Sequence, residues 1–189
     1  MNSAPDKLKQ IENFGIHTPE RDLAVLRDLS SSLSGDVVIV EVGSWMGASA
    51  LALAEANPRA RIYCIDHWQG NDSDEMSELL VSPEQAFGQF CRNVGDRLFR
   101  QIIPLVGTSR QYAFVWPEDN PVDMVYIDAE HTYESCISDI RCWYPHVKPK
   151  GIIAGHDYNV DFDGVDRAVH EVFTKDVRHK ENVWFEQKP

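Results

Sequence analysis

The sequence has few of the features that mark membrane, secreted or nucleic-acid-binding proteins. No apolar stretch approaches the roughly 20 residues that span a bilayer. Residues 1–10 are polar and charged, unlike the apolar centre of a signal peptide. Basic side chains are scarce and scattered, with 18 Lys and Arg against 30 Asp and Glu and a net charge of -12. These absences predict a cytoplasmic protein that binds neither membranes nor nucleic acid.

Cysteine is scarce as well. The chain has four cysteines (Cys64, Cys91, Cys136 and Cys142), and no two of them stand in C-x-x-C spacing. Three of the four lie inside apolar patterns. We therefore expect reduced, packed thiols rather than disulfides or a zinc site.

Internal repeats, low-complexity tracts and linker-like stretches are also missing. With 189 residues, the chain is expected to fold as one domain over residues 1–189. Within this domain we predict an N-terminal helical segment at 1–34, a core at 37–175 and a C-terminal strand region at 176–189. The number of copies in the assembled protein stays open, and a homo-oligomer is compatible with these features.

Short apolar strands alternate with helical segments along the chain. Strands are predicted at 37–42, 61–65, 101–106, 122–127, 151–154 and 183–185, and helices at 18–33, 48–56, 83–94, 133–144 and 165–173. This alternation is typical of an α/β fold with a Rossmann-like, doubly wound, mainly parallel sheet covered by helices on both faces. Ligands of such sheets bind beyond the carboxyl ends of the strands, and Gly, Asp, Glu or His stands at each of these ends.

The turn after the first strand has the character of a nucleoside site. Gly43 and Gly47 permit a sharp turn, and Asp66 follows 19 residues after Gly47, where a carboxylate can accept bonds from a ribose diol. The loop lacks the G-x-G-x-x-G pattern of dinucleotide binders, and an anionic Glu41 would repel pyrophosphate. A cationic, phosphate-free nucleoside such as S-adenosylmethionine suits it better. A tight turn with a capping Asp66 is the alternative without a ligand.

Several motifs carry a resemblance to a known family. The stretch Glu41-Val-Gly-Ser-Trp-Met-Gly-Ala-Ser49 is similar to the first motif of class I methyltransferases, in the form found in catechol-O-methyltransferase-like enzymes. Further stretches resemble the methyltransferase 24 family, whose relatives include metal-dependent sugar O-methyltransferases and cephalosporin-hydroxylase-like proteins. These stretches are Ile65-Asp-His-Trp-Gln-Gly70, Phe90-Cys-Arg-Asn-Val94, Gly107-Thr-Ser109, Ile127-Asp-Ala-Glu-His-Thr-Tyr133, and Gly155-His-Asp-Tyr158 followed by Gly164-Val165.

The resemblance implies that the 37–175 core binds S-adenosylmethionine. The residues expected at the methionine end are Glu41, Gly43, Ser44 and Gly47, with Asp128 nearby. Asp66 would hold the ribose, and His67 or Trp68 would lie against the adenine, although Trp68 could equally be a packed aromatic side chain. Thr108 and Ser109 would lie near the adenine edge.

Five titratable residues follow two neighbouring strands and form the chemical end of the predicted site: Asp128, Glu130, His131, His156 and Asp157. In related metal-dependent enzymes, the positions of Asp128, His156 and Asp157 hold a divalent cation. An imidazole in this set favours Mn, Fe, Ni or Zn over Mg, and the alternative is that His156 is a base and no metal binds. His131 and Glu130 compete as general base, and the near-neutral pKa of histidine favours His131.

Together these features predict an S-adenosylmethionine-dependent methyltransferase that O-methylates a small hydroxylated acceptor, with a divalent metal as a further expected cofactor. A catalytically inactive binding module and an NAD-dependent oxidoreductase are the alternatives. The acidic stretch from Asn71 to Glu84 is either a lid over the acceptor or a solvated loop.

Overall fold

The computed structural model describes residues 18–70, 82–160, 163–173 and 177–189. The described helices are α1 (Glu20–Ser31), α2 (Ala48–Ala56), α3 (Pro83–Val94), α4 (Ser109–Val115), α5 (Tyr133–Trp143) and α6 (Asp163–Phe173). The strands are β1 (Val37–Val42), β2 (Ala60–Asp66), β3 (Ile102–Val106), β4 (Val122–Ile127), β5 (Val147–Gly155), β6 (Arg178–Lys180) and β7 (Val183–Gln187).

The strands form one sheet in the order β3-β2-β1-β4-β5-β7-β6. Strands β1 to β5 are parallel, β7 is antiparallel to β5, and β6 is antiparallel to β7. The strand order reverses between β1 and β4, which places the predicted ligand site at that edge. The predicted doubly wound, mainly parallel sheet is confirmed.

Three helices cover each face of the sheet. Leu26 of α1, Leu53 of α2 and Phe90 of α3 are fully buried in the core on one face. Ile140 of α5 and Val169 of α6 are fully buried in the core on the other face, where α4 also packs. Because both faces are covered, β1 and β4 are apolar almost throughout, as expected for central parallel strands.

One described α-helix and one described strand were not predicted. Helix α4 is only seven residues long and largely exposed, so it lacks the long apolar periodicity that predicts a helix. Its signal was the capping box at Thr108 and Gln111, in which the two side chains each bond the other residue's backbone N–H. Strand β6 has three exposed residues and forms only by pairing with β7.

The acidic stretch after Asp66 falls mainly on residues 71–81, which lie outside the described residues. Residues 1–17, the first half of the predicted 1–34 segment, also lie outside them. The helix predicted at 83–94 is confirmed as α3, and Ser82 caps it with Gln85. None of the described helices combines the length and the apolar character needed to cross a bilayer.

A substitution at Gly155, the last residue of β5, can test how closely this strand packs against Trp184. A Cβ added at Gly155 would stand 2.5 Å from the indole of Trp184, which is fully buried. We expect Gly155→Ala to lower the free energy of unfolding by about 1–3 kcal/mol, since overpacked cores are strained. The matched control is Gly88→Ala inside α3, where the nearest atom is 3.5 Å away. This variant should stabilise by about 0.5–1 kcal/mol. Chemical denaturation measures both, and a neutral Gly155→Ala would contradict the packing.

Candidate functional site

Hydrogen bonds of the parallel ladder continue one residue past the strand ends. The backbone N–H of Gly43 donates to Ile65 at 2.9 Å, and that of Asp128 donates to Val42 at 2.7 Å. The N–H of His156 likewise donates to the carbonyl of Ile127 at 3.0 Å. The first residue after each of these strands is therefore held as firmly as the strands themselves, and these residues are the ones predicted to form the site.

Gly43 allows two of these strand ends to approach each other closely. Its φ is +84°, and an added Cβ would stand 2.1 Å from the carbonyl oxygen of Asp128. Any side chain here would therefore be strained and would push the Asp128 backbone away. The loop continues to Gly47, also at positive φ (+86°), against which Phe90 of α3 packs.

Asp66 holds the loop after β1 in place. Its Oδ2 accepts hydrogen bonds from the backbone N–H groups of Ser44 at 3.0 Å and Trp45 at 2.8 Å. Its Oδ1 accepts one from the N–H of Trp68 at 2.6 Å. Asp66 therefore has the capping role that was the alternative to ribose binding. Because it also lines the cavity described next, and its Oδ1 has a second lone pair, it can still accept a hydrogen bond from a ribose hydroxyl.

A cavity of about 650 Å³ lies over the carboxyl edge of the sheet. The predicted site residues that line it are Gly43, Ser44, Gly47, Asp66, His67, Thr108, Ser109, Asp128, Glu130, His131, His156 and Asp157. The structure therefore brings most of the predicted set together around one space.

Trp68 is not among the lining residues, which corrects its predicted contact with adenine. Its ring is 1% exposed and packs edge-on against Phe87 and Phe90, with centroids 4.8 and 5.1 Å away. Its indole N–H donates to the carbonyl of Trp45 at 2.6 Å. The ring therefore supports the loop from below, and His67 is left as the residue of this pair that faces the cavity.

Glu41 also lies beneath the loop rather than at the methionine end. It is fully buried in β1 between Cys64 and Tyr126 of the neighbouring strands, and neither carboxylate oxygen accepts a well-aligned hydrogen bond from the described residues. Burial raises the pKa of Glu41 to about 7, although the nearby hydroxyl of Ser44 lowers it in part. Glu41 is consequently not a fixed anion that faces a ligand. The sequence-based argument that its charge would repel a pyrophosphate group therefore does not apply.

The titratable residues after β4 and β5 form a cluster of carboxylates and imidazoles. His131 Nε2 lies 2.9 Å from Asp157 Oδ2, and His156 Nδ1 lies 3.2 Å from Asp157 Oδ1 and 3.6 Å from Asp128 Oδ1. Burial acts to raise the pKa of Asp157, but hydrogen bonds from the two histidines outweigh it and hold this pKa well below its usual value. Burial, reinforced by the charge of Asp157, raises the pKa of Asp128.

His156 lies beside Asp128 and Asp157, as the predicted metal set requires, but its second ring nitrogen also has a carboxylate partner. Its Nε2 lies 3.2 Å from Oδ2 of Asp22, a fully buried carboxylate of α1. Burial acts to lower the pKa of His156, but Asp128, Asp157 and Asp22 together raise it to about 10. Because an imidazolium carries a proton on each nitrogen, His156 would have to lose one of these protons before it could bind a metal ion. His156 therefore acts as a buried cation that joins α1 to the end of β5.

A different set of three side chains comes together as candidate metal ligands. Asp128, His131 and Asp157 each offer one ligand atom, and these atoms lie within 4.8 Å of one another. Asp157 itself has a φ of +57°, a conformation that Asp adopts more readily than most residues. Among the described residues, the histidine that belongs to this group is His131 and not His156.

Packing from α6 fixes the segment that carries His131. A Cβ at Gly164 would stand 2.5 Å from the carbonyl oxygen of His131 and 2.6 Å from the amide nitrogen of Tyr133. The side chain of Thr132 then caps α5 through the N–H of Ser135. This close contact explains why the motif that contains Gly164 belongs to the site although it contributes no side chain.

Three residues of this region were missed by sequence reasoning. Asp22 stands among the exposed charges of α1, and its burial depends on His156 and on the backbone N–H of Asn182, which donates to it at 3.2 Å. Asp139 of α5 is 7% exposed and lines the cavity. Trp45 lines it with a positive φ of 40°. No local pattern identifies Asp22 or Asp139, since their partners are distant in the sequence.

Solved structures of methyltransferases have a similar fold. The O-methyltransferase NovP matches with a TM-score of 0.65 and 20% identity, over 89% of this chain and 79% of NovP. CalS11, a calicheamicin methyltransferase, matches with a TM-score of 0.61 and 15% identity, over 99% of this chain and 94% of CalS11. A Streptococcus mutans protein in complex with SAH gives 0.66 at 10% identity, over 91% of this chain and 100% of that one. The fold is thus Rossmann-like and of the class I methyltransferase type.

A curated relative and a family model match this chain in sequence. The chain is 24% identical over 131 residues to protein y4gI of Sinorhizobium fredii, a match that covers 65% of this chain and 13% of that much longer relative. The family model described as a methyltransferase domain matches residues 40–158, from β1 to just past β5, which is more than half of the chain. With the loop after β1, Asp66 and the Asp128–Asp157 cluster all inside this match, the chain belongs to the methyltransferase domain family.

Proposed function

We propose that the protein uses S-adenosylmethionine to O-methylate a small hydroxylated acceptor. The observation that carries this proposal is one cavity with two chemically different ends. The loop after β1, Asp66 and Ser109 line it at the β1–β3 side, and the Asp128–His131–Asp157 cluster lines it at the β4–β5 side. A nucleoside and a hydroxyl group could therefore meet in the same space, as methyl transfer requires.

The hydrogen bonds of Asp66 favour a ligand without phosphates. In dinucleotide-binding loops, backbone N–H groups before the helix face the pyrophosphate. Here the N–H groups of Ser44 and Trp45 already donate to Asp66. With these donors occupied and a carboxylate beside them, the loop suits a cationic nucleoside and disfavours NAD. The Streptococcus mutans protein of similar fold was solved with SAH, the demethylated product of such a donor.

The cluster at the other end can manage the proton of the acceptor. Methyl transfer breaks the carbon–sulfur bond of the donor and forms a carbon–oxygen bond, so the acceptor hydroxyl must lose its proton. We assign this proton to the imidazole of His131, and Asp157, 2.9 Å from its Nε2, stabilises the charge that the imidazole gains. Glu130 is the neighbouring residue that competes for this assignment.

The donor set of the cluster also fits a divalent transition metal. Two carboxylates and one imidazole, from Asp128, Asp157 and His131, match the ligand preferences of Mn²⁺ better than those of Mg²⁺. When bound, such an ion would lower the pKa of the acceptor hydroxyl, and His131 would then hold the ion instead of accepting the proton. We propose these three residues as its ligands in place of the set expected from sequence.

The first test is ligand binding by isothermal titration calorimetry. S-adenosylhomocysteine should bind the protein and NAD should not. Asp66→Asn should weaken S-adenosylhomocysteine binding about 10- to 100-fold, because hydrogen bonds to a charged carboxylate contribute about 1.5–3 kcal/mol. The matched control is Asp36→Asn, since Asp36 is an exposed carboxylate paired with Arg59. Binding of NAD without binding of S-adenosylhomocysteine would favour an oxidoreductase.

The second test separates the two candidate bases. S-adenosylhomocysteine release should be measured in the presence of EDTA with a panel of catechols, sugars and sugar nucleotides; CalS11 is also described as a TDP-rhamnose 3'-O-methyltransferase. His131→Ala should lower kcat about 10²- to 10⁴-fold without changing the Kd of S-adenosylhomocysteine. Glu130→Gln should remain near the unmodified rate. The reverse order would assign the base to Glu130, and ligand binding without turnover on any acceptor would favour an inactive binding module.

The third test concerns the metal and needs no turnover. We expect Mn²⁺ to bind more tightly than Mg²⁺ in calorimetric titrations, because imidazole is a poor ligand for Mg²⁺. Asp157→Asn should weaken Mn²⁺ binding at least about tenfold by removing a charged ligand, whereas Asp36→Asn should not. Equal binding of the two ions, or Mn²⁺ binding that Asp157→Asn leaves unchanged, would exclude this ligand set.

A further inference from the structure

The described residues include a few large apolar side chains that are exposed, and these are concentrated in one stretch of the chain. They are Phe99, Val106, Phe114 and Val115, and Phe114 is 91% exposed. Phe99 precedes β3, Val106 ends it, and the other two residues lie in the last turn of α4. Because β3 is the edge strand of the sheet and α4 follows it, these side chains lie along one side of the molecule. Exposed apolar side chains that are grouped in this way indicate a surface that contacts another molecule.

The backbone at the outer side of β3 is poorly suited to pairing with a further strand. Alternate residues of a strand direct their backbone groups to opposite sides, and the bonds with β2 leave Ile102, Pro104 and Val106 facing outward. The carbonyl of Ile102 accepts a hydrogen bond from the N–H of Phe99 at 2.8 Å, and that of Val106 accepts one from the hydroxyl of Tyr112 at 3.2 Å. Pro104 has no N–H to donate. We therefore expect a partner to contact this side of the protein through side chains.

Opposite charges stand at the two ends of α4. Arg110 lies in the first turn of this helix, and Glu118 comes shortly after its last residue, with Phe114 between them. Both charged side chains are exposed, and neither forms an ion pair within the part of the chain that the structure describes. The helix thus presents an exposed aromatic centre with a cation on one side and an anion on the other. A surface of this kind is complementary to a second copy of itself in the reverse direction.

A twofold axis brings the complementary parts of two copies together. Helix α4 runs back along the sheet from the carboxyl end of β3 to the amino end of β4, so it is antiparallel to β3. With the axis at Phe114, the α4 helices of the two copies are antiparallel, and Arg110 faces the partner's Glu118. Phe99, at the amino end of β3, then faces the partner's Val106, at the carboxyl end of that strand. Each contact occurs twice, as in any isologous interface.

We propose that two copies of the chain form a dimer through a surface that comprises α4 and the outer side of β3, with Phe114 at its centre. A nucleic acid or an anionic membrane would instead bring phosphate groups next to the exposed carboxylates of Glu118 and Asp119, which favours a second copy as the partner. Arg110 also lines the cavity, so the partner's Glu118 holds a side chain of the cavity wall in place. No methyl donor is needed for this contact, so it goes beyond the proposed function.

Analytical ultracentrifugation over a series of protein concentrations tests this interface. The unmodified chain should sediment as a dimer that dissociates on dilution. Phe114→Ser should raise the Kd of the dimer at least about tenfold, because an apolar contact at the centre of the interface is lost in both copies. Arg110→Glu and Glu118→Arg should each raise it about 3- to 30-fold, since each places like charges opposite each other twice. The double variant restores opposite charges and should return the Kd to within about threefold of the unmodified value.

The matched control is Arg21→Glu, an equal change of charge at an exposed position of α1, which lies beside the ends of β5 and β7 and away from β3. This variant should leave the Kd of the dimer unaltered. Circular dichroism establishes that each variant folds.

Three results would overturn the proposed dimer. A monomeric unmodified protein is the first, and binding of phosphatidylglycerol vesicles that is lost in Phe114→Ser would then assign the surface to a lipid. A dimer that Phe114→Ser leaves intact is the second, because its interface would lie elsewhere. A double variant that dissociates as readily as Arg110→Glu alone is the third, because the two charged residues would not face each other.

Discussion

The site depends on hydrogen bonds that extend the parallel ladder one residue past the strand ends. The backbone N–H groups of Asp128 and His156 donate to the last residue of a neighbouring strand, and Gly107 donates to Asp66 in the same way, while Gly43 donates to Ile65, one residue before the end of β2. A residue in this position has the rigidity of a strand while its side chain faces the cavity. A site that acts mainly by holding its ligands in the right geometry needs side chains that are placed this rigidly.

Buried charge is balanced across elements that are far apart in the sequence. His156 is an imidazolium because Asp22, Asp128 and Asp157 surround it, and burial alone would lower its pKa. Removing one partner of such a group leaves an uncompensated charge, which costs more than the pair contributes. Helix α1 is thereby tied to the end of β5 by a polar contact as well as by packing. The chemical end of the site and the N-terminal helix form one unit.

Periodicity predicted most of the secondary structure, since the central strands and the helices α2 and α3 have strong local signals. It failed for α4, whose seven residues are too few for an apolar stripe. Strand-end positions correctly predicted which residues surround the cavity, because carboxyl ends of parallel strands share one edge. Residue type was less reliable: Trp68 has the character of a base-stacking residue, yet it packs on Phe87 and Phe90 in the core.

The sequence by itself determined the alternation of strands and helices, the glycine loop and the set of polar residues at the carboxyl edge, because each depends on local pattern and on the rules of parallel sheets. Only the tertiary structure decided what each polar residue does. Glu41 is neutralised in part by burial, and Asp66 closes the loop. His156 is held as a cation by Asp128, Asp157 and Asp22, the last of which is 134 residues away in the chain. Protonation and orientation depend on which groups meet after folding, and that information is absent from local sequence.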